Sequence, residues 1–184
     1  MPEDIFVKCC APTLAGIKTG SLFSCPYEDK ETLYRELRGL NRSLGCYGLR
    51  ILAMRLSGGR ALLYLYRPSR LARDLSDRQA REILVQSGYD GLRLEECVPR
   101  LVRRLREGEG FPHEIGLFLS YPPEDVRGFM EHHGHDCKLT GYWKVYGNES
   151  AARKTFEQYR KCTDSYCRRI REGCTLASLA VASA

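Results

Sequence analysis

Apolar positions recur along this 184-residue chain in two rhythms, one of three and four residues and one of two, and their alternation predicts its elements. Leu33, Leu37, Leu40 and Leu44 step by four, three and four. They therefore lie along one face of a helix that Asp29 can cap and Gly45 ends. Two strand-like runs follow, LRILAMRL at 49–56 and RALLYLYR at 60–67, joined by Ser57-Gly58-Gly59, which is a hairpin signal. Residues 14–25 read as two short extended pieces about a turn at Lys18-Thr19-Gly20-Ser21. Pro68-Ser69 opens a short helix through Leu75, and Asp77 caps another in which Ala80, Ile83 and Leu84 face inward until Gly88. A third helix covers roughly 95–107. Pro99 puts its proper start near Val98, because proline suits a first turn and breaks an interior one.

Further along, HEIGLFLS at 113–120 is a compact apolar run and predicts a buried strand. Tyr121-Pro122-Pro123 turns into a helix carrying Val126, Phe129 and Met130. LTGYWKVY at 139–146 alternates as a strand, with Leu139, Gly141, Trp143 and Val145 on one face. Asn148 caps a final helix whose Ala152, Phe156, Tyr159, Thr163, Tyr166 and Ile170 form a stripe. These elements sum to an α/β (or α+β) fold, a mixed sheet of about five strands covered by five or six helices. One domain is expected over residues 1–184, with 174–184 a short tail.

Composition narrows the class. A content of 43% hydrophobic and 28% charged residues is that of a globular chain and excludes disorder. The net charge of +6 comes mostly from arginines spread along the sequence. The densest basic stretches, Arg100-Arg103-Arg104-Arg106 and Arg153 to Arg171, are interleaved with acids, as solvated helix faces are. That pattern argues against nucleic acid as partner and favours a mild attraction for anionic small molecules. Nine cysteines without a Cys-x-x-Cys exclude a local zinc ribbon or thioredoxin-type pair. The acidic start MPEDIFVKCC is unlike a signal peptide, and no apolar run reaches the roughly 18 residues of a membrane span. A cytoplasmic protein with reduced cysteines and no membrane partner is expected.

Three stretches carry candidate chemistry. In FPHEIGLFLSYPPEDV (111–126), His113 suits proton transfer at neutral pH and Glu114 could tune it. Neighbours on a strand face opposite ways, so both serve one site only where the pleat breaks; otherwise they hold the strand's entrance by hydrogen bonds. In KCCAPTLAGIKTGS (8–21), Cys10 or Cys9 could act as a thiolate nucleophile given a base such as His113, or be a small buried hydrophobe. Lys18 and the turn after it could hold an anion, although neither a P-loop nor a Ser-x-x-Lys is present. In GYWKVYGN (141–148), Trp143 and Lys144 could wall a pocket for a planar or anionic ligand, or belong to a core. The cluster EHHGHDC, with His132, His133, His135 and Cys137, fits no standard zinc spacing and closes a helix, so no metal site is assigned. Cys25-Pro26 resembles the pair of haem-responsive proteins, which leaves an iron, haem or redox adaptor as the alternative function.

Taken together, CAPTLAGIKTGSLF, FPHEIGLFLSYPPEDV and GYWKVYGN resemble the bacterial domain of unknown function 3793 family, over almost the whole chain from about Cys10 to the final helix. The resemblance implies no activity and no cofactor. It marks Cys10, Pro12, Thr13, Gly16, Lys18, His113, Glu114, Gly116, Tyr121, Trp143 and Lys144 as motif residues. The expected site is a small-molecule one, with Cys10, His113 and Glu114 as catalytic candidates and Thr13, Lys18, Tyr121, Trp143 and Lys144 as ligand-binding ones.

Overall fold

The computed structural model describes residues 3–108 and 110–182. They form two compact units, one from the chain up to Ser69 with the stretch from Tyr159 onward, the other from Arg70–Gln158. In chain order the elements are α1 (Glu3–Leu14), β1 (Gly20–Pro26), α2 (Lys30–Gly45), β2 (Arg50–Ser57), β3 (Arg60–Tyr66), α3 (Pro68–Leu75), α4 (Arg78–Leu84), α5 (Leu94–Glu107), α6 (Ile115–Phe118), α7 (Pro123–His132), β4 (Leu139–Thr140), β5 (Lys144–Val145), α8 (Glu149–Arg171) and α9 (Leu176–Leu179). The fold mixes α and β, but the expected five-stranded mixed sheet is absent among the described residues. There is instead an antiparallel sheet of three strands in the order β1-β3-β2, and a separate β4-β5 hairpin.

In the first unit, alternation decides which strand residues meet the helices. Phe23 lies across from Leu63, Cys25 from Ala61, and Ile51 and Ala53 from Leu65 and Leu63. All are buried in a core with Phe6, Val7, Cys10, Ala11 and Leu14 of α1 and Leu33, Leu37 and Leu44 of α2. Asp29 caps α2 as expected, accepting from the Thr32 N–H at 2.8 Å. Gly58 and Gly59 take φ of 55° and 69°, the left-handed pair that a tight β2–β3 turn requires. The side-chain amide of Asn41 donates to Ile51 O at 2.8 Å and accepts from Ile51 N–H at 2.9 Å, which fastens α2 to the outer strand β2. The expected tail is not loose. Leu176 and Leu179 are buried in the same core, and Val181 N–H donates to Leu14 O.

In the second unit, Asp77 caps α4 by accepting from Gln79 and Ala80 N–H. The chain then widens into a turn at Val85–Tyr89 with Gly88 at φ 82°. Helix α5 begins at Leu94, before Pro99, so the proline sits inside it and gives up only one ladder bond. HEIGLFLS is not a strand. Ile115–Phe118 makes one buried helical turn, and a short apolar run has no periodicity to separate the two outcomes. LTGYWKVY does not run straight either; it folds at Gly141–Trp143 into β4-β5. Asn148 caps α8, accepting from Ala151 N–H at 3.0 Å. Among the described residues no helix is long and apolar enough to cross a membrane.

Candidate functional site

A hollow of about 370 Å³ opens within the Arg70–Gln158 unit. Its lining is mostly apolar. Phe111 and His113 come from the loop after α5, Ile115 and Leu119 from α6 and its exit, Val126 and Phe129 from α7, and Trp143 and Lys144 from the β4-β5 hairpin. The His113 ring meets Phe129 edge-on, with centroids 5.0 Å apart. Trp143 stacks on Tyr121 at 5.0 Å and meets Phe156 edge-on at 4.5 Å. Burial raises the pKa of the Tyr121 phenol. Five residues named in the sequence motifs, His113, Gly116, Tyr121, Trp143 and Lys144, thus line one hollow.

What fixes the indole is a residue that the motif reading passed over. Asp125 is buried in the first turn of α7. Its Oδ2 accepts from Trp143 Nε1 at 2.6 Å, and its Oδ1 accepts from the backbone N–H of Tyr146 and Gly147 at 2.7 Å each. Three N–H donors compensate a carboxylate withdrawn from water and tie the hairpin to α7. The signal in the sequence was the acidic pair following Pro122-Pro123, which reads equally as ordinary helix-start charge. Lys144 Nζ donates to Gly134 O at 2.5 Å, where the chain leaves α7 through left-handed His133 and Gly134. An ammonium group carries three N–H donors, so this bond anchors the head without exhausting it.

Glu114 is taken up by partners other than His113. It is 2% exposed, accepts from the Tyr89 hydroxyl at 3.0 Å, and lies 2.7 Å from Arg104 Nε. That Nε–H is not aimed along a hydrogen bond, so the contact is an ion pair by proximity. Burial and the Glu114 carboxylate both push the Tyr89 phenol above its usual range. Glu114 is therefore a buried link between α5 and the turn before it, an arrangement that lends no support to a catalytic partnership with His113. The strand geometry that would have set the two side chains on opposite faces is gone, and the helical turn separates them instead.

The KCCAPTLAGIKTGS residues belong to the other unit; Lys8 and Cys9 at its start are exposed, whereas Cys10, Thr13 and Lys18 are buried. Cys10 has no exposed surface, and burial raises its thiol pKa well above the ordinary 9.0, the reverse of what a nucleophile needs. Thr13 is fully buried and shares a 2.9 Å hydrogen bond with the Ser21 hydroxyl. Lys18 is 7% exposed, with its Nζ 5.8 Å from the centre of the Tyr159 ring, and burial lowers its pKa to about 8. These buried placements lend no support to Cys10 as nucleophile or to Thr13 and Lys18 as an outward ligand clamp. Cys25, of the Cys-Pro pair, is also in the core.

Among the described residues no three His, Cys, Asp or Glu side chains gather as metal ligands would. In the EHHGHDC stretch, His132 stacks on Tyr146 at 5.5 Å and Cys137 Sγ lies 3.4 Å from Thr140 Oγ1. A family model described as "Protein of unknown function (DUF3793)" matches residues 6–180. No curated protein and no solved structure matches the chain.

Proposed function

Because the chain belongs to the DUF3793 family of proteins of unknown function, no activity comes with membership, and we propose that it binds a small, planar, largely apolar acid in the hollow beside Trp143. One observation carries the reading: Asp125 locks the Trp143 indole as a wall of a mostly apolar hollow that Lys144 and His113 also line. Its volume, about 370 Å³, lies within the roughly 300–1,000 Å³ of small-molecule sites. An aromatic wall suits a flat ring, and an ammonium and an imidazole nearby suit an anionic group. The Asp125 carboxylate is engaged by three internal N–H donors, which lessens its repulsion of an acid. Nine free thiols support a reducing, cytoplasmic setting.

Trp143 is the one tryptophan of the chain, so its fluorescence reports directly on the hollow. Titration with 2-naphthoate is expected to change that emission saturably. Neutral 2-naphthalenemethanol, and the acid with a Lys144→Met variant, should each bind about tenfold more weakly, as expected for losing one charge-assisted contact. Circular dichroism and melting would verify that the variant is folded. An unsaturable response, or equal affinity for acid and alcohol in both proteins, would sink the proposal. A second reading rests on His113 sharing the lining: a catalyst acting on the bound acid would use it as proton carrier. Mass analysis of the acid after incubation distinguishes turnover from binding.

A further inference from the structure

A second hollow lies on the other unit, and its chemistry is opposite in kind. It is a shallow, open depression of about 620 Å³ between α2 and the outer strand β2, lined by Arg38, Arg42 and Arg50 together with Ile51, Leu52 and Tyr66. Arg38 and Arg42 are one helical turn apart on α2, so their side chains project from the same face. Arg50 opens β2 directly across from Tyr66 of β3. All three arginines are exposed, and among the described residues none has a carboxylate within ion-pair distance. Five arginines elsewhere, Arg78, Arg93, Arg104, Arg127 and Arg153, do pair with a glutamate.

Three like charges around one hollow repel one another unless an anion joins them. The scaffold beneath does not let them drift apart freely. Asn41 pins α2 to Ile51 at the base of this same hollow through two hydrogen bonds, and Tyr66 is braced by stacking on Tyr64 at 4.8 Å and 5°. A guanidinium presents a planar fork of donors that matches phosphate oxygens. Three such forks from two elements fit an anion with several phosphoryl oxygens better than they fit a single carboxylate.

We infer that the Arg38, Arg42 and Arg50 hollow is a binding site for an oligophosphate group, free or carried on a nucleotide. Isothermal titration of the full chain with tripolyphosphate, at ionic strength matched by sodium sulfate, tests it. Saturable binding at one site is expected, weakened about tenfold by Arg50→Gln and by Arg38→Gln. Arg55→Gln lies further along the same strand, outside the hollow, and removes the same charge; it should leave the affinity within twofold of wild type. Parallel titrations with ATP and with adenosine separate the sources. Matching affinities for tripolyphosphate and ATP indicate a phosphate site alone, whereas tighter ATP binding with none for adenosine indicates a nucleotide carrying the group. Equal losses in all three variants would reduce the effect to net charge, and no heat beyond the sulfate control would remove the site. Binding of a thymidine oligomer more tightly than tripolyphosphate, with the same dependence on Arg38 and Arg50, would reassign the hollow to a nucleic-acid backbone and overturn the inference. Melting curves verify that each glutamine variant is folded.

Discussion

Burial of the Lys18 side chain holds its pKa at about 8 against an ordinary 10.5, with the Cys10 and Cys9 thiols opposing the shift. Between those two values the unfolded chain binds more protons at this group than the folded one does, so its contribution to stability rises with pH. The cost is full below pH 8 and gone above 10.5, a change of roughly 3 kcal/mol at 1.36 kcal/mol per pKa unit. Buried thiols run the other way. Cys10 is pushed up and Cys162 is pushed up to about 11 by burial, so what they contribute is present below 9 and lost as pH climbs through the folded values. Comparing wild type with Lys18→Met cancels the thiols to first order. The methionine variant is expected to be more stable below pH 8, with the gap closing toward 10.5 in urea unfolding; a gap independent of pH would refute the argument. Sequence alone showed Lys18, Thr13 and Cys10 as polar residues in a motif and so as candidates for chemistry. What it withheld was solvent exposure, because a helix with Cys10 on its inner face was not recognised there.

The β4-β5 hairpin owes its shape to one missing methyl group. A Cβ on Gly141 would stand 2.1 Å from Phe156 Cε2, inside any tolerable contact. Gly141→Ala should lower stability by about 1–3 kcal/mol in urea unfolding and alter Trp143 emission, since Phe156 also packs on that indole. Adding Phe156→Leu should recover part of the loss; no recovery would mean that the clash is not the cause. Elements with local punctuation were the readable ones. Asp29 before a leucine step, Gly58-Gly59 between two strands, Pro68, Asp77 and Asn148 each act over a few residues, and each element formed close to its predicted limits. Helix α1 carries Phe6, Val7, Cys10, Ala11 and Leu14 at helical spacing, a signal that Pro12 near its end obscures. HEIGLFLS lacked polar positions to set a period, and Pro99 was given more weight than the Glu96 side chain, which accepts from Arg93 N–H at the start of α5.

At the scale of the chain, long-range closure in the first unit converges on Arg67, which has no exposed surface. Its guanidinium donates to Thr13 O at 2.8 Å, Leu14 O at 2.8 Å, Tyr47 O at 3.0 Å and Val181 O at 2.7 Å. Carbonyls at the end of α1 carry the negative pole of the helix, which suits a buried cation. Replacing it by methionine leaves those carbonyls without their donor, so Arg67→Met should cost at least about 3 kcal/mol. Protease sensitivity should also appear at 174–182; unchanged stability and cleavage would contradict this role. Nothing in the local sequence distinguished Arg67 from the many surface arginines, since its partners stand up to 114 positions away. The same limit applied to the hollow: the motifs named five of its lining residues, while Asp125, which sets the wall, declares itself only through contacts made 18 to 22 residues later.

Asn41 has a consequence for how these molecules keep apart. In the order β1-β3-β2 the second strand is outermost, and an outer strand offers its peptide groups as a template on which another chain can zip. By occupying both peptide groups of Ile51, a side-chain amide imitates one rung of a neighbour that is not there. That edge is thereby blunted where the strand begins, so chain-to-chain zipping along β2 should be disfavoured in concentrated solutions.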